Sequence, residues 1–420
     1  MMRALYTLLW LLGMPLVVGR LVWRARKQPG YLHHLSERFG KVAPSAQPTI
    51  WLHAVSVGET RAAEPLVKAL LAAFPQHEVL LTCMTPTGRE TGQALFGKLA
   101  RVRQSWLPYD LPWLQRRFLQ GVRPVCGIVM ETEVWPNLLL SARALGVPLL
   151  LANARLSARS ARGYGQLGKL AHDAFGSFNT IAAQSAADAE RIRTLGGREV
   201  VVSGNIKYDM AIPDTAAPLA QHFGALTQGR PILLAASTRE GEEALIVEAF
   251  KTQVRDNTLL VLVPRHPQRF DDVAGIVTRA GLSLARRSSD APVSADTQVW
   301  LGDSMGEMAA YFAFADVTLM GGSWLPFGSQ NLIESCAAGT PVLIGPSSFN
   351  FAEAAELAIA AGAARRCVDV AEAMGVAQQW LADAPTREAM GAAGRAFCAQ
   401  HGGATARLVQ MTKGLLTQAS

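Results

Sequence analysis

The chain has 420 residues, half of them apolar and 7% aromatic, which excludes a disordered or low-complexity protein and leaves room for two domains of ordinary size. Its five cysteines (Cys83, Cys126, Cys336, Cys367, Cys398) show no Cys-x-x-Cys spacing and no histidines at zinc-finger intervals, so neither a disulfide framework nor a metal cage is expected. A formal net charge of +7 favours acidic partners such as phosphates, nucleotides or an anionic membrane face without choosing among them.

The first segment does choose. Residues 4–19 (ALYTLLWLLGMPLVVG) carry no charge, and after Arg20 the apolar run continues through Leu21, Val22 and Trp23 to the basic cluster Arg24, Arg26, Lys27. That is close to the roughly 20 residues a bilayer span needs, and Arg20 can snorkel to the interface. The small-residue cleavage site of a signal peptide is missing, and the positive flank after the run predicts that the bulk of the chain stays cytoplasmic. Residues 1–27 therefore read as an N-terminal membrane anchor, spanning or interfacial; Pro15 and the marginal length leave a core helix as the alternative.

Beyond the anchor, short Val/Ile/Leu runs alternate with helical periodicity. Strands are predicted over 50–55, 79–83, 125–130, 148–152, 181–183 and 200–202, then over 232–236, 259–263, 299–302, 317–320 and 341–344. Continuous apolar runs of this kind belong to parallel strands covered on both faces, so an α/β chain with two doubly wound, Rossmann-like domains is expected. Strand periodicity lapses over 212–229, where Pro, Gly and Ala accumulate. This stretch reads as a linker between a first domain at 28–211 and a second at 230–420, the latter ending in helices. Ligands in such sheets sit at the carboxyl ends of strands, and a cleft between two domains lets each hold one substrate.

The turns of the first half carry carboxylates. In HAVSVGE, Glu59 stands where a strand meets a helix with apolar residues at Ala63, Leu66, Val67 and Leu70. Ser56 and Glu59 also have the spacing of a capping box, so a structural cap and a catalytic base are both open readings. Glu131 ends another strand and Glu133 follows two residues on, on the same side if the chain stays extended; a paired structural carboxylate is the alternative for Glu133. Arg155, Arg159, Arg162 and Lys169 form a basic run, ordinarily a solvated face.

The turns of the second half combine Gly-rich bends, helix starts and the basic side chains Arg239, Arg265 and His266, as phosphate sites do. Arg265 offers a bidentate fork after Pro264, and Met305, Gly306 and Glu307 offer backbone amides at a predicted helix start. Neither half has G-x-G-x-x-G after its first strand or G-x-x-x-x-G-K-[ST], which counts against dehydrogenases and P-loop enzymes. With no Asp-x-Asp pair, a divalent metal bridging a nucleotide diphosphate is not expected.

Taken in order, HAVSVGE, MTPTG, LPYDLP, METEVWPNL, NARLSARS, GNIKYD, VPRHPQRF, GDSMGEM and GPSSFNF resemble the signatures of the 3-deoxy-D-manno-octulosonic acid (Kdo) transferases of lipopolysaccharide synthesis, from the apolar N-terminus to about Phe351. The resemblance implies a GT-B glycosyltransferase with an acceptor domain followed by a donor domain. It also implies CMP-Kdo as donor, the lipid A precursor (lipid IVA) as acceptor, no cofactor, no metal, no nucleic acid, and work at the cytoplasmic face of the inner membrane. Transfer with inversion needs a base for the acceptor hydroxyl and stabilisation of the leaving group. By resemblance Glu59 is that base, and Glu131 and Lys207 stabilise the transition state. The CMP moiety would be held by Pro264, Arg265, Met305, Gly306, Glu307, Asn331, Leu332, Ile333 and Glu334, the last reaching the ribose hydroxyls, with Ser237 and Arg239 adding phosphate contacts. For an anchored enzyme the basic run, with residues 20–41, becomes a patch facing anionic inner-membrane lipid.

The chain departs from the family pattern at two places. GSQNLIE (328–334) stands where many members have Gly-Gly-His-Asn-Pro-Leu-Glu, and Arg239 stands where a histidine is frequent. The alternatives are a GT-B transferase or epimerase acting on another nucleotide sugar, and a catalytically inactive membrane-anchored nucleotide-binding protein.

Overall fold

The structure, a computed structural model, describes residues 2–210, 212–254 and 257–419. The chain divides into two units, one of residues 1–210 with 402–420 and one of residues 211–401. In unit 1 the order is α1 (Met2–Ala25), β1 (Thr49–His53), α2 (Val57–Ala62), α3 (Glu64–Ala73), β2 (Glu78–Cys83), α4 (Pro86–Phe96), β3 (Val102–Trp106), α5 (Pro112–Val122), β4 (Pro124–Met130), α6 (Pro136–Ala144), β5 (Leu149–Ala154), α7 (Ala158–Gln166), α8 (Lys169–Phe175), β6 (Thr180–Ala183), α9 (Ala186–Thr194) and β7 (Val200–Val202). Unit 2 holds α10 (Ala216–Leu226), β8 (Ile232–Thr238), α11 (Glu242–Gln253), β9 (Leu259–Pro264), α12 (Phe270–Arg279), β10 (Leu284–Arg286), β11 (Val299–Leu301), α13 (Met308–Phe314), β12 (Val317–Met320), α14 (Ile333–Ala338), β13 (Val342–Ile344), α15 (Ala352–Ala360), β14 (Ala364–Arg366), α16 (Val370–Ala382) and α17 (Ala384–His401). The last helix, α18 (Ala404–Ala419), belongs to unit 1.

Each unit is one all-parallel sheet of seven strands, ordered β3-β2-β1-β4-β5-β6-β7 and β10-β11-β9-β8-β12-β13-β14. Strand order reverses between β1 and β4 and between β8 and β12, and the crevices above these switch points are where doubly wound sheets bind ligands. Successive residues of β1 feed opposite faces. Trp51 joins Phe118, Leu138 and Phe175 in one apolar layer, while Ile50 and Leu52 join Leu66, Ile128 and Leu408 in the other. Gly127 on β4 makes room for Trp51, because a Cβ there would lie 2.6 Å from the indole ring.

Three strands, β3, β10 and β14, do not show as apolar runs. They lie at sheet edges and are only half covered, so their side chains include Arg103, Gln104, Arg286 and Arg365. Two domain expectations are corrected. The 212–229 stretch is no bare linker: it forms α10, whose Phe223 is fully buried against Trp300 and Tyr311 at ring separations of 5.2 and 4.9 Å. Residues 402–420 leave the second domain altogether. Ala404, Leu408 and Leu415 of α18 are buried in the unit 1 core, the Asp209 carboxylate accepts the Gly403 and Thr405 amides, and Arg407 donates to Ser203 O.

Candidate active site

In unit 1 the switch-point turns collect acids. Glu59 lies in the first turn of α2, directly after β1. The Ser56 hydroxyl accepts from the Glu59 amide and donates to Glu59 Oε1 (2.9 Å), while Val55 N–H donates to Oε2 (2.8 Å). The side chain thus caps its own helix and is fixed by that cap. Glu131, which follows β4, takes a left-handed backbone (φ +54°) and donates its amide to Ala152 O. A side chain other than glycine holds that conformation only where its surroundings enforce it, a pattern that gathers at functional sites. Glu133 accepts from Trp135 Nε1 at 2.9 Å.

The neighbouring charges reach Glu59 and Glu133. Burial pushes the Glu59 carboxyl up to about 7, with the charges of Glu131 and Glu133 adding to the rise and the Val55 amide and Ser56 hydroxyl opposing it. Burial, joined by Glu131, raises Glu133 as well. An acid poised near neutrality at the mouth of a strand is suited to accept a proton.

Lys207 sits on a single 3-10 turn after β7, its amide bonded to Asn205 Oδ1. That turn is tied to the sheet centre by Asn153, at the end of β5. Asn153 is fully buried at φ +54° in an irregular stretch of the strand, and its Oδ1 accepts from Ile206 N–H at 3.0 Å. Its Nδ2 has no partner among the described residues. Asn153 opens the NARLSARS motif, but that pattern gives it no role. The basic run is solvated: no residue of α7 is buried, and Lys169 pairs with Asp173 at 3.3 Å.

In unit 2 the turns after β8 and β9 carry the positive charge. Ser237 takes φ +55° where the register of β8 shifts, and Gly321, at the end of β12, approaches so closely that a Cβ would lie 2.5 Å from Ser237 O. The Arg239 guanidinium lies 4.7 Å from the centre of the Phe327 ring. Arg265 donates its amide to Thr238 O directly after Pro264, which ends β9. Burial, followed by the charges of Arg239, Arg265 and Arg269, lowers His266, so these arginines share one field.

The remaining positions divide. Met305 is exposed, and Gly306 (φ +83°) turns the chain into Glu307, which caps α13; the Glu307 carboxylate is already engaged by Ser304 and by Arg287 Nη2. Asn331 lies just before α14, its Oδ1 accepting from Ile333 N–H and its Nδ2 donating to Glu334 Oε1 at 2.8 Å. Leu332 and Ile333 are buried, so only their backbone can meet a ligand. A cavity of 630 Å³ lies beside this loop, lined by Trp324, Pro326, Pro346, Ser348 and Phe349 among others.

Glu242 is the residue that sequence reasoning missed in this unit. Completely buried at the start of α11, its carboxylate accepts from the amides of Arg239 (2.9 Å), Gly322 (2.7 Å) and Trp324 (3.0 Å), clamping together the two turns that flank the switch point. In sequence it is one acid among three in REGEE.

A family profile described as 3-deoxy-D-manno-octulosonic-acid transferase (kdotransferase) matches residues 33–210. The chain is 45% identical to the 3-deoxy-D-manno-octulosonic acid transferase of Bordetella pertussis over 96% of its own length and 97% of that protein's. It is 36% identical to the enzyme of the same name from Haemophilus influenzae, with 98% of each chain covered. Among solved structures, a glycosyltransferase from Rickettsia africae is similar in fold, with a TM-score of 0.60 at 13% identity over 89% of this chain and 99% of that one.

Proposed function

The chain belongs to the family of 3-deoxy-D-manno-octulosonic acid transferases and is a GT-B glycosyltransferase of lipopolysaccharide synthesis, and from that premise we propose the roles of its residues. Kdo passes from CMP-Kdo to a hydroxyl of the lipid A precursor. The acceptor oxygen bonds to the anomeric carbon as the carbon–oxygen bond to the phosphate of CMP breaks, CMP leaves with the electron pair, and the acceptor proton goes to Glu59. Unit 1 supplies the base and unit 2 the nucleotide site.

What supports this reading above all is the state of Glu59: a carboxylate at the switch-point crevice, held by Val55 N–H and Ser56 and poised near neutral pH. Glu131 sets its field and orders the β4 turn. Lys207, on the turn that Asn153 secures, meets charge growing on the departing phosphate or the Kdo carboxylate. Arg265 and Arg239 hold the phosphate, and Glu334, steadied by Asn331, meets the ribose. Pro264, Met305, Gly306, Glu307, Leu332, Ile333 and Ser237 shape the nucleotide pocket through their backbone. The enzyme works at the cytoplasmic face of the inner membrane, attached through α1, a helix with an 18-residue stretch whose mean hydropathy of 1.7 suits a membrane.

The test is transfer itself, read by mass spectrometry after incubation with CMP-Kdo and lipid A precursor. Glu59→Gln is expected to keep its fold and to lose roughly 10²- to 10⁴-fold in turnover. A correctly folded variant with near wild-type transfer removes Glu59 from the chemistry.

A further inference from the structure

Helix α1 is apolar enough to cross a membrane, yet one side of it is taken. Burial recurs with helical period: Arg3, Tyr6, Thr7, Trp10, Met14 and Val17 are all partly covered, while Leu5, Leu8, Leu9, Leu12 and Leu16 stand exposed between them. The covered side is bonded to unit 1. The Tyr6 hydroxyl donates to Asp110 Oδ2 (2.9 Å), Arg3 Nε donates to Asn137 Oδ1 (2.9 Å), and Asn137 Nδ2 donates to Thr7 Oγ1 (3.1 Å). Asp110 and Asn137 are themselves buried, Asp110 also accepting the amides of Asn137 and Leu138. Further along, Trp10, Met14 and Val17 pack on Tyr109, Leu111 and Leu114, with Trp10 6.4 Å from Tyr109 and 6.2 Å from Trp135 between ring centres. From residue 3 to residue 17 the helix therefore lies along the unit for about 21 Å.

We propose that α1 is a monotopic, in-plane membrane helix: it stays docked on unit 1 along its length and sinks its opposite, leucine face into the acyl–headgroup boundary of an anionic leaflet without crossing it. This rests on the membrane attachment proposed above and adds the mode. A helix that left the unit to span would strip the hydrogen bonds of Asp110 and Asn137 and bare the Tyr109–Leu114 surface. A helix that spanned while docked would carry Asp110 and the exposed Arg116 and Arg117 of α5 to bilayer depth, where charge is expelled. Lying flat resolves both. The exposed face then meets acyl chains, Trp23 and Trp113, both at least half exposed, sit at headgroup level, and the exposed Arg20 and Arg24 meet anionic headgroups.

The full chain, expressed in a Gram-negative host with an epitope tag before Met1, provides the test. Protease added to intact spheroplasts is expected to leave the tag whole and to remove it only after lysis, with the protein in the membrane pellet. Removal of the tag from intact spheroplasts means that α1 crosses, which overturns the in-plane mode while attachment stands; recovery in the soluble fraction overturns both. The variant Leu12→Asp/Leu16→Asp alters no docked residue. It is expected to keep its melting temperature and to lose at least about tenfold in binding to phosphatidylethanolamine–phosphatidylglycerol vesicles, and undiminished binding removes the lipid from that face.

Discussion

Glu59 is pulled in two directions. Burial and the neighbouring charges of Glu131 and Glu133 favour its proton, while the Val55 amide and the Ser56 hydroxyl favour its release, and the balance falls at about 7. As the proposed base it must be ionised, so kcat/KM should rise with pH through about 7 and then level off. Glu133→Gln removes one of the raising charges and should move that limb to lower pH; an unmoved or raised limb in the pH–rate profile separates Glu133 from the base. Linkage fixes the sign for stability. The native carboxyl holds its proton up to about 7, against 4.5 for an unperturbed glutamate, so between these values the folded chain binds more protons than the unfolded one, and stability falls as pH rises. Glu59→Gln should therefore gain on the wild type between about pH 5 and pH 8 in denaturant titrations. The position of Glu59 in a capping box at a strand-to-helix turn was legible from local pattern, whereas its reading as a base came only from the family resemblance. Asn153 was visible as the first residue of NARLSARS, but its role was not: that role consists of a left-handed backbone and a bond to Ile206, 53 residues away, and local pattern carries neither.

At the scale of elements, what the sequence shows depends on burial. Central strands such as β4 and β8 are apolar on both faces and read directly, whereas β3, β10 and β14 are edge strands with solvated side chains and do not. The turns of unit 2 show the same contrast. Arg265 and Asn331 are visible as motif residues, but the clamp that joins their neighbourhood is Glu242, whose partners come from Arg239 and from Gly322 and Trp324 some 80 residues on. A neutral amide there would turn donor against donor in a dry site, at about 1–3 kcal/mol or more. Glu242→Gln is thus expected to lower the melting temperature of unit 2 and to weaken CMP binding, measured by calorimetric titration. Since Glu242 is completely buried, that loss would act through the β8 and β12 turns; unchanged CMP affinity would show that those turns do not set the nucleotide site.

Taken whole, the molecule is two sheets threaded by one chain that returns to the first. The end of the chain carries no motif, and its allegiance was illegible because the apolar face of α18 fits any core by pattern alone. Its address is written in tertiary partners: Asp209 at its N-terminus, Arg407 on Ser203 O, and Leu408 and Leu415 within the layer that contains Leu66. Each unit has its own apolar core, so heating should melt them as separate transitions rather than one. Two perturbations assign the transitions independently. Leu408→Ala empties a fully buried site, should cost unit 1 about 2–5 kcal/mol, and should lower one transition alone. CMP, if unit 2 binds it as proposed, should raise the other, by about 2.7 kcal/mol at a hundredfold excess over its Kd. If scanning calorimetry finds that the mutation and the nucleotide move the same peak, either the last helix stabilises both units or the units unfold as one block, and the division drawn here fails.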